Sequence, residues 1–246
     1  MKLIICKDYQ EMSEYASRLI AARLRLFPRT VLGLATGSTP IGTYDELARM
    51  YEDEGLDFSL VRTINLDEYV GLGPDHEQSY HYFMREKLFD RIHLKEEASA
   101  IPDGMAEDPQ EEARKFEAMI EDQGGIDLQI LGVGPNGHIG FNEPADHFTA
   151  ESHCVKLTED TINANQRFFE KREDVPREAI TMGIGQIMKA RKVLLLVNGA
   201  HKANTLREAV LGPITPQVPV TVLRLHPDCT VICDADAAAS LEAGEY

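Results

Sequence analysis

Leu128-Gln129-Ile130-Leu131-Gly132-Val133-Gly134-Pro135-Asn136-Gly137-His138-Ile139-Gly140-Phe141-Asn142-Glu143-Pro144 joins a short apolar run to a glycine-rich, polar loop. The run Leu128–Val133 has the length and composition of a β-strand covered by helices on both faces. Gly132, Gly134 and Gly137 match G-x-G-x-x-G, the dinucleotide fingerprint, but that fingerprint must open a helix. Here Pro135 follows the second glycine, Gly140 comes soon after, and Pro144 would close any helix early. The stretch therefore reads as a strand followed by a loop that presents side chains.

The same reading extends outward in both directions. Leu3–Cys6, Val31–Ala35, Val61–Leu66, Cys154–Leu157, Ala179–Met182, Val193–Val197, Val220–Leu225 and Val231–Cys233 are further strand candidates. Helical patterns fall between them at Asp8–Leu26, Ile41–Glu54, Tyr80–Leu88, Thr158–Phe169 and Lys202–Val210. Another helix starts at Asp108-Pro109-Gln110-Glu111, with Asp as N-cap and Pro at the first helical position, and Ala113, Phe116 and Ile120 give it an apolar face. Alternation of this kind predicts an α/β protein with a mostly parallel sheet and helices on both sides. No repeat or long linker divides the chain, so residues 1–246 are expected to form one domain.

Composition narrows the possible partners. The chain has 246 residues, 43% of them hydrophobic, enough to bury a full core. Its formal charge of −16 repels nucleic acid phosphates and anionic lipids, so neither is an expected partner. A phosphorylated substrate would therefore need a local cationic pocket. Cys6, Cys154, Cys229 and Cys233 contain no C-x-x-C pair and read as free thiols, mostly buried, in a reducing cytosol. The apolar run near Met1 is too short for a secretory leader, and no stretch approaches a membrane span. A cytoplasmic location is the expectation.

Ligands of such sheets bind beyond the carboxyl ends of the strands, so the residues that follow each strand carry the functional reading. After Val31–Ala35 come Thr36, Gly37, Ser38, Thr39 and Pro40, then a helix. Small residues, two hydroxyls and a helix N-terminus describe an anion site, most naturally for phosphate. No Gly-Lys-Ser/Thr is present, so this is not a Walker loop. Asp67 follows Val61–Leu66 and can serve as a general base, whereas adjacent Glu68 should point elsewhere. The loop after Leu128–Val133 brings Asn136, His138 and Glu143, a proton carrier with a carboxylate able to hold its ring. Arg167 and Lys202 are candidate cations for the phosphate pocket.

At these residues the chain resembles the glucosamine-6-phosphate deaminase (isomerising) family. The matching stretches are LGLATGSTP (Leu32–Pro40), NLDEYVGL (Asn65–Leu72), GVGPNGHIGFNEP (Gly132–Pro144), NANQRFF (Asn163–Phe169) and NGAHKA (Asn198–Ala203), in family order along nearly the whole chain. The resemblance implies a Rossmann-like three-layer α/β/α sandwich and conversion of glucosamine 6-phosphate to fructose 6-phosphate and ammonia. It also implies roles. Asp67 would take the C2 proton and help return one at C1, and His138 would open the sugar ring. Glu143 and Asn136 would orient and tune His138. Gly37, Ser38, Thr39, Arg167 and Lys202 would bind phosphate, with Thr36 in the same loop. Aldose–ketose isomerisation needs no metal and no nicotinamide, and the sequence carries no convincing motif for either, so no cofactor is expected.

Two departures qualify the resemblance. Many family members carry Asp where this chain has Asn136, and Asn adds no negative charge to the His–Glu network. Members activated by N-acetylglucosamine 6-phosphate have a basic interface site, whereas Glu151–Val155 here has few cations before Lys156. Weak or absent activation, and a monomer or small homo-oligomer, are the expectations. The runner-up activity is 6-phosphogluconolactone hydrolysis, which the NLDEYVGL and Asn142-Glu143-Pro144 segments disfavour. A sugar-phosphate-sensing module is a more distant alternative, disfavoured by the charge and by the intact Asp67, His138 and Glu143.

Overall fold

The structure, a computed structural model, describes residues 1–166, 169, 171–242 and 244. Among these the strands are β1 (Lys2–Cys6), β2 (Val31–Leu34), β3 (Arg62–Asn65), β4 (Asp67–Tyr69), β5 (Ser99–Ala100), β6 (Leu128–Leu131), β7 (His153–Lys156), β8 (Glu178–Thr181), β9 (Val193–Val197) and β10 (Cys229–Asp234). The α-helices are α1 (Tyr9–Leu26), α2 (Ile41–Glu54), α3 (Tyr80–Met84), α4 (Pro109–Asp122), α5 (Glu159–Asn165), α6 (Ile184–Lys189) and α7 (Ala203–Leu211). A seven-stranded sheet has the order β1-β10-β9-β6-β2-β3-β5, and each of its pairings is parallel. A smaller antiparallel sheet has the order β4-β8-β7.

The apolar strands serve two cores. Successive side chains of a strand point to opposite faces. Leu128 and Ile130 of β6 and Leu194 and Leu196 of β9 therefore pack on the side of α1 and α2. Leu131, Val193, Leu195 and Val197 pack on the other side, with Phe116, Ile187 and Leu206 from α4, α6 and α7. Helices on both faces make the three layers of a Rossmann-like α/β/α sandwich, as the alternating pattern predicts. The helix starts follow local chemistry. Asp8 accepts a hydrogen bond from Glu11 N at 2.8 Å, and Asp108 accepts from Gln110 N and Glu111 N at 3.0 and 3.1 Å.

Some elements differ from the expectation. Val220–Leu225 is not a strand but part of a 3-10 helix, Pro219–Leu225, buried from Pro219 through Leu223. A six-residue run such as Val-Thr-Val-Leu-Arg-Leu is too short for its period to separate strand from helix. The expected helix Tyr80–Leu88 divides into α3 and a wider π-type turn, Arg85–Phe89. Strands β4 and β5 and helix α6 were not expected.

Strand order fixes where the ligand site lies. From β2 the chain moves outward through β3 to β5, whereas from β6 it moves the opposite way through β9 to β10. The loops after the adjacent strands β2 and β6 therefore diverge, and such a switch point leaves a crevice at the carboxyl edge.

Candidate active site

A cleft of about 690 Å³ occupies that crevice. Thr36–Thr39 after β2, Asp67 after β3, Gly132–Asn136 and His138 after β6, and His201 and Lys202 after β9 line it. Nine of the ten residues expected at the site come together here or directly behind it. Arg167 lies outside the described residues.

The β2 loop turns on Gly37, whose φ of +94° suits glycine. Thr39 is held by its hydroxyl, which donates to Asn198 Oδ1 at 2.7 Å, joining the loops after β2 and β9. Tyr9 braces the loop from α1: its hydroxyl accepts from Gly42 N at 2.8 Å and lies 3.1 Å from both Ser38 O and Thr39 O as a donor. Lys202 donates from Nζ to Val133 O at 2.5 Å, which places its ammonium between the β6 and β9 loops. Hydroxyls, a cation and the start of α2 together can form the local anion site that an acidic chain would need for a phosphorylated ligand.

Asp67 lies at the floor, 6% exposed. Its backbone is locked into the small sheet opposite Thr181. Burial, with Glu68 as a neighbouring negative charge, pushes its carboxyl up to about 8. Glu68 points the other way, as the alternation of a strand requires. Its carboxylate accepts from Tyr69 N, Tyr80 N and His81 N at 2.8–3.0 Å and faces His81 Nδ1 at 2.9 Å, so it anchors the start of α3. That anchorage seats Tyr80 on the cleft wall, against Tyr69 and Phe141 at ring-centre distances of 4.8 and 6.1 Å.

The loop after β6 orients His138. A Cβ on Gly134 would sit 2.1 Å from the imidazole Cε1, so the ring packs where only glycine leaves room. His138 Nδ1 stands 3.5 Å from Glu143 Oε2, so Nε2 is the ring nitrogen left for a ligand. Asn136 Oδ1 accepts from His138 N at 3.2 Å, and this turns the Asn136 amide so that Nδ2 donates to Glu143 Oε2 at 2.7 Å. Thr161 donates to the other oxygen, Oε1. Burial alone would raise the Glu143 carboxyl. His138, Thr161 and Asn136 outweigh it and bring it down to about 2. Asn142 is a brace: Nδ2 donates to Ile139 O and Met182 O, both at 2.9 Å.

Sequence reasoning missed Tyr9, Tyr80, Thr161 and His201. Tyr9, Tyr80 and Thr161 reach the site through tertiary packing, without a local motif of their own, whereas His201 lies within the NGAHKA stretch beside Lys202 and could have been found there.

The cleft thus combines an anion cradle, a buried carboxylate and a His–carboxylate pair on an α/β sheet, which defines an enzyme-type site for a small phosphorylated metabolite. Residues 7–232 match the family described as glucosamine-6-phosphate isomerases/6-phosphogluconolactonase, and the chain belongs to that family. It is 56% identical to the glucosamine-6-phosphate deaminase of Thermoanaerobacter pseudethanolicus over 97% of this chain and 94% of that one. It is 50% identical to the Clostridioides difficile enzyme of the same name over 100% and 99% of the two chains. A solved structure described as a monomeric glucosamine-6-phosphate deaminase superposes with a TM-score of 0.95 at 43% identity, covering 98% of this chain and 100% of the other. The 6-phosphogluconolactonase of Trypanosoma cruzi, at 20% identity and a TM-score of 0.78 over 98% and 97% of the chains, shares the fold.

Proposed function

We propose that this chain converts glucosamine 6-phosphate and water to fructose 6-phosphate and ammonia. The observation that carries the reading is the meeting of Asp67 and His138 in one cleft with the Thr36–Thr39 loop and Lys202 at its edge. Relatives at 50–56% identity bear the name of this activity.

The roles follow from the chemistry each position allows. Thr36, Gly37, Ser38, Thr39 and Lys202, with Arg167, hold the phosphate. His138 takes the proton of the anomeric hydroxyl and delivers one to the ring oxygen; the C1–O5 bond breaks and the C1 aldehyde forms. Glu143 and Asn136 hold the imidazole for that transfer. Asp67 then removes the C2 proton, leaving an enolamine, and a proton returned to C1 gives an imine at C2. Water adds at C2, and the resulting carbinolamine collapses to the ketone with loss of ammonia. A buried base needs no metal to reach a carbon acid once the neighbouring aldehyde accepts the electron pair.

The chain is proposed to act as a single unit of residues 1–246 in the cytoplasm, as a monomer or small oligomer. No helix among the described residues is long and apolar enough to cross a membrane.

A coupled assay tests the reading. Purified protein given glucosamine 6-phosphate should release ammonia and fructose 6-phosphate in equal amounts. Given 6-phosphogluconolactone, it should release no acid above the spontaneous rate. Failure to produce ammonia overturns the proposal, and catalysed lactone hydrolysis replaces it with the other activity of the family.

A further inference from the structure

The Glu143 carboxylate has two oxygens. The loop that carries it supplies partners to one of them: Asn136 Nδ2 at 2.7 Å and His138 Nδ1 at 3.5 Å both face Oε2. Oε1 is held from a different element, by the hydroxyl of Thr161 in the first turn of α5. The direction of that hydrogen bond is fixed. A carboxylate held near 2 is ionised at neutral pH and can only accept, so the single Thr161 proton must point at it. Thr158, the N-cap of α5, accepts from Thr161 N at 3.3 Å and meets Thr161 Oγ1 at 3.1 Å, where only Thr158 has a proton left to donate. A directed relay therefore runs from Thr158 to Thr161 to Glu143. Thr161 is 7% exposed and lines the cleft.

We propose that Thr161 is a positioning residue for ring opening, fixing the Glu143 carboxylate against His138 from α5. The proposal rests on the deaminase reading above. Its physical basis is rotational freedom. With Oε2 alone restrained, the carboxylate turns about its Cγ–Cδ bond, and His138 loses a defined partner for Nδ1. Here position 136 is Asn, whose amide attracts the carboxylate but leaves its second oxygen unassigned. His147 and His153 line a separate pocket of about 130 Å³ that Glu143 also borders, with no hydrogen bond to its carboxylate among those described.

Thr161→Val removes the donor and keeps the shape. A hydrogen bond to a charged group makes turnover of glucosamine 6-phosphate sensitive by about 10- to 100-fold in kcat. KM and the inhibition constant of the acyclic probe 2-amino-2-deoxyglucitol 6-phosphate, which needs no ring opening, should stay within about twofold, and Thr161→Ser should restore kcat to within about threefold. Thermal unfolding checks that the valine variant folds; if it does not, Thr161→Ala is read in the same way. Wild-type kcat in the folded variant, failure of serine to rescue, or weakening of the acyclic probe in step with kcat would each overturn the proposal. Wild-type protein that yields no ammonia would instead overturn the functional reading on which it rests.

Discussion

Asp67 meets two opposed demands. As the proposed base it must be ionised, yet burial and Glu68 hold its carboxyl up at about 8. The free protein near neutral pH therefore carries mostly the neutral form, and kcat/KM for glucosamine 6-phosphate should fall as pH drops through about 8. Stability has the opposite sign. The folded value lies above the ordinary 3.8, so stability is fully present below 3.8 and is lost as pH rises through about 8. Each pH unit in that window costs up to about 1.4 kcal/mol. Asp67→Asn removes this cost. It should unfold at a higher temperature than wild type at pH 8, with the difference vanishing near pH 4, while turnover falls about 10²- to 10⁴-fold. Differential scanning calorimetry across pH, paired with the ammonia assay, checks both halves. Equal unfolding temperatures at pH 8 would mean that Asp67 is not strained by its burial. At this scale the sequence was informative where the reactive side chain follows a strand: Asp67, His138 and Glu143 could each be singled out. Thr161 could not be, because its partner Glu143 lies 18 residues away on another element and an ordinary helix-capping pattern surrounds it.

The loop after β6 works as an element because its glycines yield space to particular partners. Gly134 lies under the His138 ring, and a Cβ at Gly137, whose φ is +88°, would sit 2.6 Å from Val218 Cγ1. Val220 N donates to Gly137 O at 2.8 Å, so the 3-10 helix Pro219–Leu225 clamps the loop. This also explains why Val220–Leu225 misled as a strand. Its buried residues answer to a contact with the loop after β6, and so short a run carries no period that reveals this. Strand β4 was hidden for a different reason. It pairs antiparallel with β8, more than 100 residues later, and no local pattern announces a pairing at that separation. Gly134→Ala tests the loop directly. Its backbone φ is not in the left-handed region, so alanine brings no torsional penalty, only the clash with His138. The imidazole must rotate, and with His138 in its proposed role kcat should fall at least about tenfold, since small misplacements of a reacting group are costly. Unfolding should shift far less than for a substitution at left-handed Gly137. A crystal structure of the variant with an unmoved His138 and full activity would refute the packing argument.

At the scale of the whole molecule, strand order and net charge act on the same place. The outward moves from β2 and β6 were not legible in the sequence, because order in a parallel sheet depends on which crossovers pack together. What could be read was the consequence, that residues following strands would share one edge. The acidic chain then sets a condition on traffic into that edge. With a formal charge of −16, the long-range field opposes a phosphorylated sugar, while Lys202 at the cleft attracts it at short range. Salt separates the two. The Debye length is about 30 Å at 0.01 M and about 8 Å at 0.15 M, so moderate salt screens the distant carboxylates before it weakens contacts inside the cleft. Raising ionic strength across that range with a non-binding salt should therefore increase kcat/KM by a factor of a few, in contrast to the fall expected of a site served by a basic surface. Lys202→Gln should raise KM by about tenfold or more through loss of a charge-assisted contact. It should also steepen the salt response, because the repulsive field then acts without its local counterweight. A wild-type kcat/KM that falls with salt would show instead that the cleft cations dominate the approach of substrate at every distance.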